Sequence, residues 1–142
     1  MQSAFGSYLA QVVEVTVDAG AESGSQVRVD RVVCALDCGQ TVNPDTIRAQ
    51  LEGGVMFGLS AALFNEITIV NGRVRQSNFH DFRALRLTQA PRVEVYLIAS
   101  QESPGGVGET GTACVAAALC NAIYAATGRR LRSLPVIRSF SA

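Results

Sequence analysis

One acidic side chain stands in a turn that is otherwise mostly glycine: Glu109 in "GVGETG", residues 106–111. A carboxylate on so bare a turn can serve as a general base toward a bulky ligand that comes close to the backbone. The same six letters fit G-x-G-x-x-G, the turn that lays a pyrophosphate on a helix N-terminus. Chemistry argues against that use. A carboxylate inside the turn repels the phosphates, and no Asp or Glu follows Glu109 to take the ribose hydroxyls. The turn also stands near the C-terminus instead of in a first strand–helix unit. A phosphate loop is excluded because its lysine position is Thr112. From the residues alone two readings stay open. Either the glycines make a tight turn and Glu109 caps the next helix, where an acid is favourable, or Glu109 is a general base.

The remaining reactive side chains narrow the chemistry further. All twelve basic residues are arginine, so the chain has no Schiff-base lysine. Cys34, Cys38, Cys114 and Cys120 fall in C-x3-C and C-x5-C spacings, which match neither a zinc knuckle nor a ferredoxin-type cluster. Their settings, "RVVCALDCG" and "TACVAAALC", are core-like, so they read as reduced, small apolar residues and no metal ligand is assigned. His80, the single histidine, has no partner motif and reads as solvent-facing or satisfied in the core.

The elements that must position Glu109 follow from periodicity and punctuation. "YLAQVVEVTVD" reads as a half-buried strand, with Gln11, Glu14, Thr16 and Asp18 interleaved among valines, and "AGAESGSQ" as a hairpin loop. "VRVDRVVCALDCG" is the returning antiparallel strand. "NPDTIRAQLEGGVMFGLSAALF" opens as a helix, with Asn43 as cap, Pro44 at the first position, Asp45 at the positive end and Arg48 as a surface charge. Gly53, Gly54 and Gly58 cost that helix about 1 kcal/mol each relative to alanine, which implies that something packs very close to it. "EITIVNGRVRQ" is a hairpin on the type I′ pair Asn71-Gly72. After a connecting segment, "RVEVYLIAS" is a further strand. A second helix, "TACVAAALCNAIYAATG", ends on Gly128, with Arg129 and Arg130 suited to its negative end.

Strand, strand, helix, hairpin, strand, helix is the order of an α+β fold, a two-layer domain with helices packed on one face of a largely antiparallel sheet. At 142 residues, 48% hydrophobic and 17% charged, the chain reads as one globular domain, 1–142. Its zero formal net charge gives no footing for nucleic acid or an anionic membrane. No signal-like start is seen and no apolar run approaches bilayer length, so no membrane segment and a cytoplasmic location are expected.

"PGGVGETGTACVAAALCNAIYAATGRRLRSLPV" and "LDCGQTVNPDTIRAQLEGGVMFGLSAAL" resemble two signatures of the molybdenum-binding large subunit of the xanthine dehydrogenase and aldehyde oxidase family. The isoquinoline 1-oxidoreductase-like branch is the nearest match, down to "FGSYLAQVVEVTV". The resemblance implies a molybdopterin-binding domain that forms the C-terminal portion of a longer subunit. It implies that Glu109 lies beside the molybdenum as general base in the hydroxylation of an aldehyde or N-heterocycle, with water as oxygen source. Gln50 would hydrogen-bond the pterin, the backbone of Gly106, Val107 and Gly108 would lie near the cofactor, and Gly53 and Gly54 would make room for it. It further implies the cytosine dinucleotide form of the cofactor and electrons passed to 2Fe-2S clusters on a small partner subunit. The rest of the molybdenum subunit would complete the site, and the chain would be inactive alone. The rival is a non-catalytic module that keeps the fold for structure or assembly.

Overall fold

The computed structural model describes residues 1–18 and 27–140. The stretch read as a hairpin loop, 19–26, lies outside the described residues. A short first strand, β1 (Gln2–Ala4), turns through Phe5 and Gly6 into β2 (Ser7–Val17). Both turn residues have positive φ, 55° and 78°. A phenylalanine there is uncommon, which is why the hairpin was not legible in the sequence. β2 pairs antiparallel with β3 (Val27–Asp37) as the alternation predicts. The register steps from Glu14–Arg31 to Val15–Val29, leaving Asp30 without a partner in the ladder. That bulge lets Val29 on one side and Val32, Cys34 and Leu36 on the other all face the core.

From β3 the chain crosses one face of the sheet as α1 (Pro44–Leu63). It then makes the small hairpin β4 (Ile69–Val70) and β5 (Arg73–Val74), and returns as β6 (Arg92–Leu97). β6 lies parallel to β3, a pairing that requires a crossover of this kind. The sheet order is β1-β2-β3-β6, with the first two pairings antiparallel. The α+β class therefore holds, with one parallel edge that strand alternation does not signal.

Local signals set the helix ends. Asn43 Oδ1 accepts the N–H groups of Asp45 and Thr46, both at 3.1 Å. Arg48 pairs with Asp45 at 3.3 Å. The second helix, α2 (Thr110–Thr127), stops at Gly128 with φ 71°, the left-handed stop glycine favours. Arg129 and Arg130 lie over the rings of Phe140 and Tyr124, 4.7 and 3.7 Å from their centroids. Asn71 and Gly72 adopt φ 51° and 75°, as a type I′ turn demands.

Both helices cover the same face of the sheet. Leu9, Val13, Val32 and Leu36 meet Leu51, Val55 and Leu59 of α1 and Val115, Leu119 and Ile123 of α2. Burying each such side chain contributes roughly 2 kcal/mol. Cys34 and Cys38 lie in this core and Cys114 and Cys120 at its edge, all as free thiols. Burial pushes all four thiols up. On the other face Tyr8, Val12 and Tyr96 are exposed beside an ion row in which Arg31 and Arg92 both reach Glu94 at 3.3 Å. Arg31 also hydrogen-bonds Glu14 and holds its carboxyl below the usual range.

α2 corrects one sequence expectation. With 18 residues and a mean hydropathy of 1.3, it is long and apolar enough to cross a membrane by length and composition. Its apolar face is taken up by α1 and β2, and a core helix passes the same test as a span. The expected cytoplasmic location therefore loses that support.

Candidate functional site

Glu109 occupies the position that starts α2. Its carbonyl accepts the N–H groups of Thr112 and Ala113, both at 3.1 Å, while its exposed side chain makes no capping hydrogen bond. The carboxylate thus stays free at the positive end of the helix, where its charge is favourable without being used up.

Contacts from three directions fix the turn. From α1, Gln50 Nε2 donates to the carbonyl of Gly108 at 2.7 Å, joining residues 58 apart in sequence. From the β1–β2 turn, the carbonyl of Phe5 accepts the N–H of Gly106 at 2.7 Å, and from the end of β3 that of Cys38 accepts the N–H of Gly105 at 2.8 Å. Behind the turn, Thr112 Oγ1 donates to the carbonyl of Gly54 at 3.0 Å and Gln11 Nε2 to that of Gly111 at 3.1 Å. Gln11 breaks the polar–apolar alternation of β2, sharing the inward face with Leu9 and Val13. A helix carbonyl meets its amide nitrogen there, while its buried Oε1 has no partner among the described residues.

The result is an open cleft of about 480 Å³ between α1 and the start of α2. Gln50, Gly53, Gly54 and Phe57 line it from α1, and Gly108, Glu109, Thr112 and Ala113 from the turn and α2. The α1 residues follow i, i+3, i+4, i+7 spacing, one face of a helix. Phe57, 71% exposed, is a cleft residue that sequence reasoning missed, although its place seven residues after Gln50 was a usable signal. A second cavity of about 230 Å³ lies at the other end of α1, around Leu63, Phe64, Val136 and Phe140. No carboxylate, histidine or cysteine lines it.

The expected site residues part company here. Gln50, Gly108 and Glu109 come together in the cleft. Gly106 has its N–H committed to Phe5, and Val107 packs against the core. The glycines of α1 split as well. A Cβ on Gly54 would come 3.3 Å from the Thr112 nitrogen, and one on Gly58 2.5 Å from Val115 Cγ1, whereas Gly53 faces open space. His80 is exposed 3.5 Å from Asp81, away from the cleft. Among the described residues no three His, Cys, Asp or Glu side chains form a group that could hold a metal.

A two-layer domain thus presents a free carboxylate, an amide and bare backbone to one open cleft. A family profile described as molybdopterin cofactor-binding domain matches residues 2–91, and the chain belongs to that family. It is 40% identical over 114 residues to isoquinoline 1-oxidoreductase subunit beta of Brevundimonas diminuta, covering 80% of this chain and 15% of that protein. To the membrane-bound aldehyde dehydrogenase (pyrroloquinoline-quinone) of Gluconacetobacter polyoxogenes it is 38% identical over 125 residues, 88% of this chain and 16% of that one. The aldehyde oxidoreductase structure from Desulfovibrio gigas aligns with a TM-score of 0.76 at 25% identity, over 96% of this chain and 16% of that one. Each match is long enough that it has to span both Gln50 and Glu109. The chain thus spans about a sixth of the length of these relatives.

Proposed function

We propose that the chain forms one wall of the cofactor cleft of a molybdenum hydroxylase, which oxidises an aldehyde or N-heterocycle with water as oxygen source. The observation that carries this reading is the Gln50–Gly108 hydrogen bond, which sets an amide beside a turn ending in a free carboxylate. The residues fit a molybdopterin. Gln50 keeps its Oε1 uncommitted, and the N–H groups of Val107 and Gly108 find no acceptor among the described residues. Nothing within 4 Å occupies the space over Gly53 and Gly108.

When bound, the molybdenum–pterin group, proposed in its cytosine dinucleotide form, supplies the two-electron oxidation. Gln50 Oε1 accepts from the pterin, and the Val107 and Gly108 N–H groups donate to it. Gly106 contributes by shape, since its N–H is already used. Glu109 accepts a proton at its carboxylate from the water-derived nucleophile, a general-base role that contributes about 10²–10⁴-fold. With Glu109 exposed and the cleft open, this wall cannot exclude water alone. The rest of the molybdenum subunit closes the other side, a small subunit carrying 2Fe-2S clusters takes the electrons, and the chain by itself is inactive.

The test is to assemble the chain with the rest of its subunit and follow substrate-dependent dye reduction in wild type and Glu109→Gln. The expected loss is about 10²–10⁴-fold at unchanged cofactor content. Unchanged turnover would remove Glu109 from the base role, and an assembly without activity or cofactor would favour the structural module.

A further inference from the structure

We propose that Gln11 is a positioning residue for Glu109: from the sheet it fixes, through a single peptide unit, the backbone that carries the carboxylate. This rests on the base role of Glu109 and says what holds that residue from behind. The peptide unit is Gly111–Thr112. Its carbonyl accepts from Gln11 Nε2 at 3.1 Å, and its N–H donates to the Glu109 carbonyl at 3.1 Å. A donor on the oxygen of a peptide polarises it and strengthens the hydrogen bond that its N–H makes. Glu109 makes no side-chain hydrogen bond or ion pair among the described residues, so its backbone sets where the carboxylate points.

The fold does not require an amide at this place. A carbonyl inside a helix accepts the N–H four residues on, so Gly111, within α2, needs no second donor. Gln11 shares its face of β2 with Leu9 and Val13, and its Nε2 lies 3.4 Å from the Sγ of the buried Cys34. Its Oε1 is buried without a partner among the described residues, a cost that an apolar side chain would not carry. Close packing already sets where α2 lies, since a Cβ on Gly111 would come 2.8 Å from the Leu51 carbonyl oxygen. Packing does not set the tilt of the Gly111–Thr112 peptide, which a glycine leaves freer than any other residue would. A directed N–H···O bond does set it. Gln11 therefore costs the core an unpaired oxygen and aims its donor at the one peptide whose tilt the carboxylate depends on.

The experiment uses Gln11→Met and Gln11→Leu, which remove both the donor and the unpaired oxygen, each in the 142-residue chain and in its assembly with the rest of the subunit. Thermal unfolding of the chain reports on the fold, pterin released from the assembly reports on cofactor content, and substrate-dependent dye reduction gives kcat and KM separately. Both variants are expected to unfold no lower than wild type and to keep wild-type pterin content and KM, while kcat falls about fivefold to tenfold. A purely structural Gln11 would instead lower the midpoint or the pterin content in either variant, and that result overturns the proposal. So does wild-type kcat in either variant, or a loss carried by KM. Glu109→Gln is measured alongside. If it turns over like wild type the base reading fails, and if wild type lacks pterin the cofactor reading fails. Both outcomes are distinct from Gln11 variants that match a wild type whose turnover Glu109→Gln abolishes.

Discussion

The two helices meet twice, once closed and once open, and glycine serves both meetings. At the crossing, Gly54, Gly58 and Gly111 let α1 and α2 approach until backbone touches backbone, with Leu51 and Thr112 as the contacting partners. In the cleft beside it, a Cβ on Gly53 or Gly108 would meet nothing within 4 Å. Gly53 and Gly54 are consecutive, yet one is buried against α2 and the other looks into the opening. The difference teaches that a cluster of helix glycines need not have one cause. Here, close packing holds the turn in place, and bare backbone next to it borders an open cleft.

The contrast can be broken at its closed side first. Gly58→Val puts a branched side chain where even a Cβ would come 2.5 Å from Val115 Cγ1. The expected loss is on the order of 3 kcal/mol, read from denaturant unfolding of the chain. A variant as stable as wild type would mean that the crossing is loose. A smaller effect is expected at the link between the two regions. Gln50→Ala removes one exposed hydrogen bond to Gly108, so unfolding should change by about 1 kcal/mol or less. Pterin content of the assembly should fall about fivefold to tenfold, because the amide holds the turn and, in the proposed function, accepts from the pterin. The smallest effect is on the stability of the open side. Gly53→Ala should leave unfolding unchanged or raise it by up to about 1 kcal/mol, the opposite sign to Gly58→Val further along the same helix.

What was legible in the sequence was whatever local chemistry decides. Asn43 caps α1, Asn71-Gly72 makes the small hairpin and Gly128 ends α2, because each outcome depends on residues within a few positions. The parallel placement of β6 and the strand before Phe5 depend on partners far along the chain or on an unusual backbone, and no periodicity marks them. Gln11 misled the alternation because its partner, the Gly111 carbonyl, is 100 residues away. In the site, Glu109 could be singled out from its turn, but the choice between cap and base could not be made from the letters. Gln50 entered through family resemblance alone, since nothing in the letters marks a surface glutamine on a helix as facing residue 108. Which glycines pack and which stay open is a tertiary property, visible only once the second helix is in place.

The central claim is that the open region is the wall of a molybdopterin site, and cofactor analysis of the assembled subunit tests it most directly. Metal content and released pterin would be measured on the assembly formed by this chain and the rest of its subunit. The account predicts molybdenum and pterin in equal, stoichiometric amounts, retained in Glu109→Gln. An assembly that carries a quinone cofactor instead, or neither molybdenum nor pterin, would contradict it.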